Sequence, residues 1–93
     1  MDAGTMGIST TSPIFSEEYG PLTQLLARAR QRAGVSQREL AARLGRSQSH
    51  IVLLEKRQRR VDLREFYLIC RALELEPTKV FAELVHELDA LHA

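Results

Sequence analysis

The 93-residue sequence predicts an all-α fold of five helices. Two observations carry that prediction. Apolar residues recur at the three- and four-residue spacing that lines one face of an α-helix. Those stretches are separated by residues that start and stop helices: Ser36 with Glu39 and Asp62 with Glu65 match the capping-box pattern, while Gly34 and Gly45 supply left-handed stops. A third observation concerns charge. Residues 1–21 hold three acids and no base, net −3; residues 22–60 hold ten bases against two acids, net +8; residues 61–93 hold three bases against seven acids, net −4.

Taken in order, residues 1–20 read as a flexible N-terminal segment, with the small polar residues 1–12 disordered and Ile14, Phe15 and Tyr19 available to fold back on a core. Residues 21–92 read as one helical domain. Pro21 stands at the first position of the first helix, where its missing N–H costs nothing. Leu22, Leu25, Leu26 and Ala29 give that helix an apolar stripe over residues 21–33, closed by Gly34. Ser36 caps a second helix that starts at Gln37, buries Leu40, Ala41 and Leu44, and ends before Gly45. Ser47 caps a third, with Ile51 and Leu54 facing inward. So short a connection forces a sharp turn, and the small Ala41 lets the third helix approach. Asp62 caps a fourth helix that buries Phe66, Ile69, Cys70 and Leu73, which makes Cys70 a small core residue. Pro77 opens the last helix, residues 77–92. Its Val80, Phe81 and Leu84 cap the core, while Leu88 and Leu91 are expected to outrun so small a core and need another surface.

The composition narrows the function. No stretch approaches the roughly 18–20 apolar residues of a membrane span, and the start of the chain carries an acid where a secretory signal carries bases. One cysteine cannot form an internal disulfide, which agrees with a reducing compartment; the expectation is a cytoplasmic protein. No enzyme is expected, and no cofactor or metal. His86 and His92 are six residues apart on one helix and do not converge, and neither a cysteine pair nor a glycine-rich phosphate loop accompanies them. The +8 block contains the second and third helices and is the electrostatic footprint expected of a nucleic-acid binder.

Gln37, Ala41, Gly45, Ile51 and Leu54 fall at the spacing of the helix-turn-helix in phage repressors of the Cro/CI type, and the sequence from about Leu22 to Leu84 resembles that XRE-like family. The resemblance implies a five-helix, lambda-repressor-like domain whose third helix enters the major groove of double-stranded DNA. It implies that Gln48 reads an adenine while Gln37 braces it and holds a phosphate, with Ser49 a candidate for the next base. It also implies a structural ion pair between Arg30 and Glu55, although Arg30 has a rival reading as a phosphate contact. Ser36, Arg38 and Arg46 are phosphate candidates, as are Lys56, Arg57, Arg59 and Arg60 of the basic run that follows Glu55. His50 either touches a phosphate or flanks the core.

Two departures from the family stand out. Arg57 occupies a place usually held by glycine, so it has to adopt or avoid a positive φ. Val52 and Leu53 replace a polar pair; they meet thymine methyl groups, form a patch for a protein partner, or tuck into the core. Since one module reads few base pairs, a homodimer on an inverted repeat is expected, with Val85, Leu88 and Leu91 as interface candidates. The function expected is a sequence-specific transcriptional regulator, a repressor in the first instance. An antitoxin-like accessory protein with a further protein partner, and a helical adaptor that no longer reads DNA, are the alternatives.

Overall fold

The computed structural model describes residues 19–92. Five helices follow in order: α1 (Tyr19–Arg32), α2 (Gln37–Leu44), α3 (Gln48–Glu55), α4 (Leu63–Ala72) and α5 (Pro77–Leu91), and among the described residues there is no strand. The expectations for residues 1–12, Ile14 and Phe15 fall outside the described residues. Tyr19 and Gly20 are already helical, so Pro21 is the third helical residue rather than the first; an N–H there would lack an intrahelical partner too, and the proline is tolerated for the same reason. Tyr19 is half-buried, and its hydroxyl accepts a hydrogen bond from the Val61 N–H.

The start signals act locally. Ser36 Oγ accepts from the Glu39 N–H at 3.0 Å, Ser47 Oγ from the His50 N–H at 3.3 Å, and Asp62 Oδ1 from the Glu65 N–H at 2.7 Å. Each supplies an acceptor to a first-turn N–H that the helix itself cannot satisfy. The reciprocal half of each capping box is missing. Glu39 instead binds Arg43 at 2.7 Å, one turn along α2, and Glu65 turns to His50 of α3.

Four helix ends share one device. A residue with positive φ follows α1, α2, α3 and α4, and the next N–H bonds back five residues: Val35 to Arg30, Arg46 to Ala41, Gln58 to Leu53, Leu75 to Cys70, at 2.8–3.1 Å. This is the Schellman closure. The left-handed residue is glycine twice, Gly34 and Gly45, but Arg57 (φ 61°) and Glu74 (φ 60°) at the other two. The expected conflict at Arg57 is thus resolved by adopting the positive φ, at a cost of about 1–2 kcal/mol for a residue with a Cβ.

The core draws on every helix. Leu25 and Leu26 of α1, Leu40 and Ala41 of α2, Ile51 and Leu54 of α3, Phe66, Ile69 and Cys70 of α4, and Val80 and Leu84 of α5 are buried, with Val35 and Leu73 closing the gaps between elements. Burial pushes the Cys70 thiol up to about 11, against the smaller opposing effect of the Arg71 charge. Helix α3 packs on both α1 and α2, and α4 bridges α2 to α5. Two expectations for α5 change. Phe81 does not cap the core; it is half-exposed and meets Phe66 edge to face, with ring centroids 6.3 Å apart. Leu88 does not outrun the core but packs partly buried against it, because α5 lies along α1, where Arg28 and Glu87 pair at 2.9 Å. Val85 and Leu91 remain exposed.

Candidate nucleic-acid interface

The site is built on α3. With Ile51 and Leu54 sealed in the core, helical geometry turns Gln48, Ser49, Val52 and Leu53 the other way. Gln48 and Ser49 are exposed at the start of the helix, Val52 is half-buried, and Leu53 is 39% exposed. The face is therefore polar at its N-terminal end and apolar further on. The first-turn amides of α3 add the partial positive charge of a helix start.

The angle at which α3 is held is set beneath it. Arg30 donates through Nε and Nη2 to the two carboxylate oxygens of Glu55, at 2.7 and 3.1 Å, and through Nη1 to the Val35 carbonyl at 2.8 Å. Both side chains are almost fully covered, at 11% and 12% exposure. With three donors engaged inward, the guanidinium is not turned toward a phosphate. Gln37 joins this cluster, its amide donating to Glu55 Oε1 at 2.9 Å. That differs from the bracing of Gln48 implied by the resemblance, and the reason is electrostatic: an ionised, largely desolvated carboxylate is a stronger acceptor than a neutral amide on an exposed helix start. The cluster thus ties the start of α2, the middle of α1 and the end of α3 together.

The basic residues differ in exposure and in what they bind. Arg38, Arg46, Lys56, Arg59 and Arg60 are exposed around α3 and the loop that follows it, and Ser36 is exposed at the start of α2. Arg57 behaves differently. It is half-buried, and its guanidinium lies over the start of α1, so close that a Cβ on Gly20 would fall 2.7 Å from Arg57 Nη1. Arg43 is also occupied, donating to the Ala72 carbonyl at 2.7 Å as well as to Glu39, which caps the end of α4.

Two residues that sequence reasoning did not assign to the interface belong here. Arg64, in the first turn of α4, lines a cavity of about 100 Å³ together with Arg46, Arg59, Asp62 and Glu65, so three guanidinium groups and two carboxylates surround one polar hollow beside α3. Glu65 is the second, through its contact with His50. The only sequence signal for either was the proximity of α4's start to the basic run. Among the described residues no group of histidines, cysteines and acids is arranged to hold a metal ion, and no helix is long and apolar enough to cross a membrane.

Residues 21–84 match the model of a helix-turn-helix domain family. An XRE-family like protein from Pseudomonas syringae pv. tomato is 37% identical, with 89% of this chain and 94% of that one superposed at a TM-score of 0.72. An uncharacterised HTH-type transcriptional regulator of Sinorhizobium fredii, y4dL, is 38% identical over 76 residues, which is 77% of this chain and 39% of that protein. The chain therefore spans about two fifths of the length of that curated relative. The restriction-modification controller protein C.Esp1396I, solved as a tetramer in complex with its natural 35 base-pair operator, is 22% identical and superposes over 78% of this chain and 96% of its own at a TM-score of 0.71, a likeness of fold.

Proposed function

Because the chain belongs to the XRE-like helix-turn-helix family of transcriptional regulators, we propose that it binds double-stranded DNA with α3 in the major groove and regulates transcription from an inverted-repeat operator, as a repressor. The observation that carries this reading is the outward face of α3. Gln48 and Ser49 stand exposed at its start, and Arg38, Arg46, Lys56, Arg59 and Arg60 are exposed on the segments flanking it. Gln48 reads an adenine edge, Ser49 the neighbouring base, and the half-exposed Val52 and Leu53 meet thymine methyl groups. The flanking bases and the exposed Ser36 hold phosphates, releasing counterions and fixing the register. Gln37 supports the site from below through Glu55. No chemistry is assigned to the site; it is a binding surface, working in the cytoplasm where the DNA is.

One recognition helix covers only a few base pairs, so two copies are needed on half-sites about 34–36 Å apart. The exposed Phe81, Val85 and Leu91 of α5, with Leu63 and Tyr67 of α4, supply the apolar surface for that pairing, and Leu88 supports it from the core side. The C.Esp1396I tetramer on its operator supports assembly on DNA as a mode open to this fold.

The test is in vitro selection from random duplexes at about 150 mM salt, where charge-only binding is suppressed. Enrichment of an inverted repeat with half-sites about ten base pairs apart supports the proposal. No enrichment by a folded protein overturns it and favours a surface for a protein partner, for which the exposed Leu53 would be the anchor.

A further inference from the structure

Leu53 is an apolar side chain in a polar, basic neighbourhood. The core does not use it: Ile51 and Leu54 fill the core from α3 at 1% and 2% exposure, while Leu53 stands 39% exposed with a half-buried Val52 beside it. One turn before Leu53 on the same helical row is Ser49, and one turn after it is Lys56, both exposed. Among the described residues, the other large apolar side chains that stand exposed lie on α4 and α5. One leucine is far less than the contiguous patch of roughly a few hundred Å² that marks a protein-docking surface. It suits a ligand as small as a methyl group. The exposed Arg38, Arg46, Lys56, Arg59 and Arg60 around α3 select the polyanion that presents one.

We propose that Leu53 recognises the C5-methyl group of a pyrimidine, so that 5-methylcytosine serves in place of thymine and cytosine methylation strengthens binding at that base pair. This assignment rests on the DNA-binding reading above and names a further base that the site accepts. The chemistry lies in what leucine lacks. In the major groove thymine shows a carbonyl acceptor and a methyl group, whereas cytosine shows an amino donor and no methyl group. A glutamine or serine side chain tells the acceptor from the donor. Leucine has neither kind of group and responds to the methyl alone. 5-Methylcytosine carries that methyl beside the cytosine amino group. To Gln48 or Ser49 it is still a cytosine; to Leu53 it is equivalent to thymine.

The helix sets where this happens. Ser49 and Leu53 are four residues apart, about 6 Å along α3, which is close to two base-pair steps of about 3.4 Å each. With α3 lying along the groove, Gln48 and Ser49 read by hydrogen bonding at one end of the half-site and Leu53 reads about two base pairs away. Methylation adds no charge, so the phosphate contacts of the flanking bases are unaffected and the effect is confined to that base pair. Covering one methyl group contributes about fourfold in affinity per half-site, and about fifteenfold for an inverted repeat that carries it twice.

The experiment is in vitro selection with the unsubstituted protein from three pools of random duplex. The first holds the four ordinary bases. The second has 5-methylcytosine in place of cytosine, and the third has uracil in place of thymine, which removes the methyl group and keeps the acceptor. The expected result is a position, about two base pairs from that read by Ser49, where thymine is enriched over cytosine in the first pool. There thymine and 5-methylcytosine are enriched equally in the second pool, and uracil and cytosine are not distinguished in the third. In Leu53→Ala, a change at an exposed position, that position should lose its preference in every pool; because the pools already test the unsubstituted protein, the result does not depend on how the variant folds. A position that favours thymine over 5-methylcytosine as strongly as over cytosine, or that favours uracil over cytosine as strongly as thymine, overturns the proposal and leaves DNA reading intact. An operator with no such position does the same, as does a methyl-dependent position that folded Leu53→Ala retains. No enrichment from any of the three pools overturns both readings.

Discussion

Removing the Glu55 carboxylate, by Glu55→Ala, is expected to be strongly destabilising although the position touches no DNA in the proposed complex. The magnitude follows from the groups left behind. Arg30 would keep only its bond to the Val35 carbonyl, and the Gln37 amide would lose its acceptor. Both members of the ion pair are close to nine-tenths covered, so water does not readily replace the lost partner. Breaking such a pair from one side costs about 3–5 kcal/mol. A domain of this size has roughly 5–10 kcal/mol in total, so the variant should be close to unfolding, with Tm lower by of order 20 °C. Glu55→Gln keeps acceptor oxygen for one donor and should cost about 1–2 kcal/mol. The double replacement Arg30→Met with Glu55→Leu should recover most of the loss, since no charge is then stranded. Urea unfolding followed by circular dichroism gives all three values. A Glu55→Ala loss below about 1 kcal/mol would mean that the pair is screened like a surface one, and the argument that it fixes the angle of α3 would fail with it.

Four other outcomes are expected. Gln48→Ala should cost about 1–3 kcal/mol at one base pair of the selected operator and little elsewhere; equal weakening on every sequence would remove its base-reading role. Arg60→Ala should weaken binding uniformly and reduce the slope of log affinity against log salt by about one, which titrations at several salt concentrations read directly. Val85→Asp with Leu91→Asp should yield a folded monomer in sedimentation velocity, since both side chains are exposed and the core is untouched; a persistent dimer moves the interface off α5. Burial holds the Cys70 thiol near 11 against an ordinary 9.0, so the native protein should resist a thiol reagent until it unfolds. Because the folded thiol is the weaker acid, its contribution to stability is present below pH 9.0 and is lost as pH climbs to about 11, a decline that Cys70→Ala should remove in urea titrations.

Much of this architecture was legible residue by residue. Ser36, Ser47 and Asp62 cap the helices that follow them, and Gly34 and Gly45 end the ones before them, because each of those interactions closes within about five residues and needs no tertiary partner. The inward faces of α1 through α4 followed from spacing alone, since a helix buries whichever stripe is apolar. The segregation of charge onto residues 22–60 was likewise visible before any fold, and it pointed to the segment that carries α3.

What tertiary structure decided is where the long polar side chains go. Glu39 and Glu65 each had a capping partner three residues away, yet one bound Arg43 and the other His50; Gln37 chose Glu55 over Gln48, and Arg57 folded onto Gly20. A side chain with three or four rotatable bonds reaches many partners, and the winner is the most strongly charged, best-desolvated group that packing brings within reach. The same holds for Phe81 and Leu88. Both lie on apolar positions of α5, but which one the core accepts depends on where α1 and α4 run beneath them. Helix boundaries and faces are thus set by the local chain, whereas side chains that reach between helices are set by which helices meet, and on that second level the geometry of α3 depends.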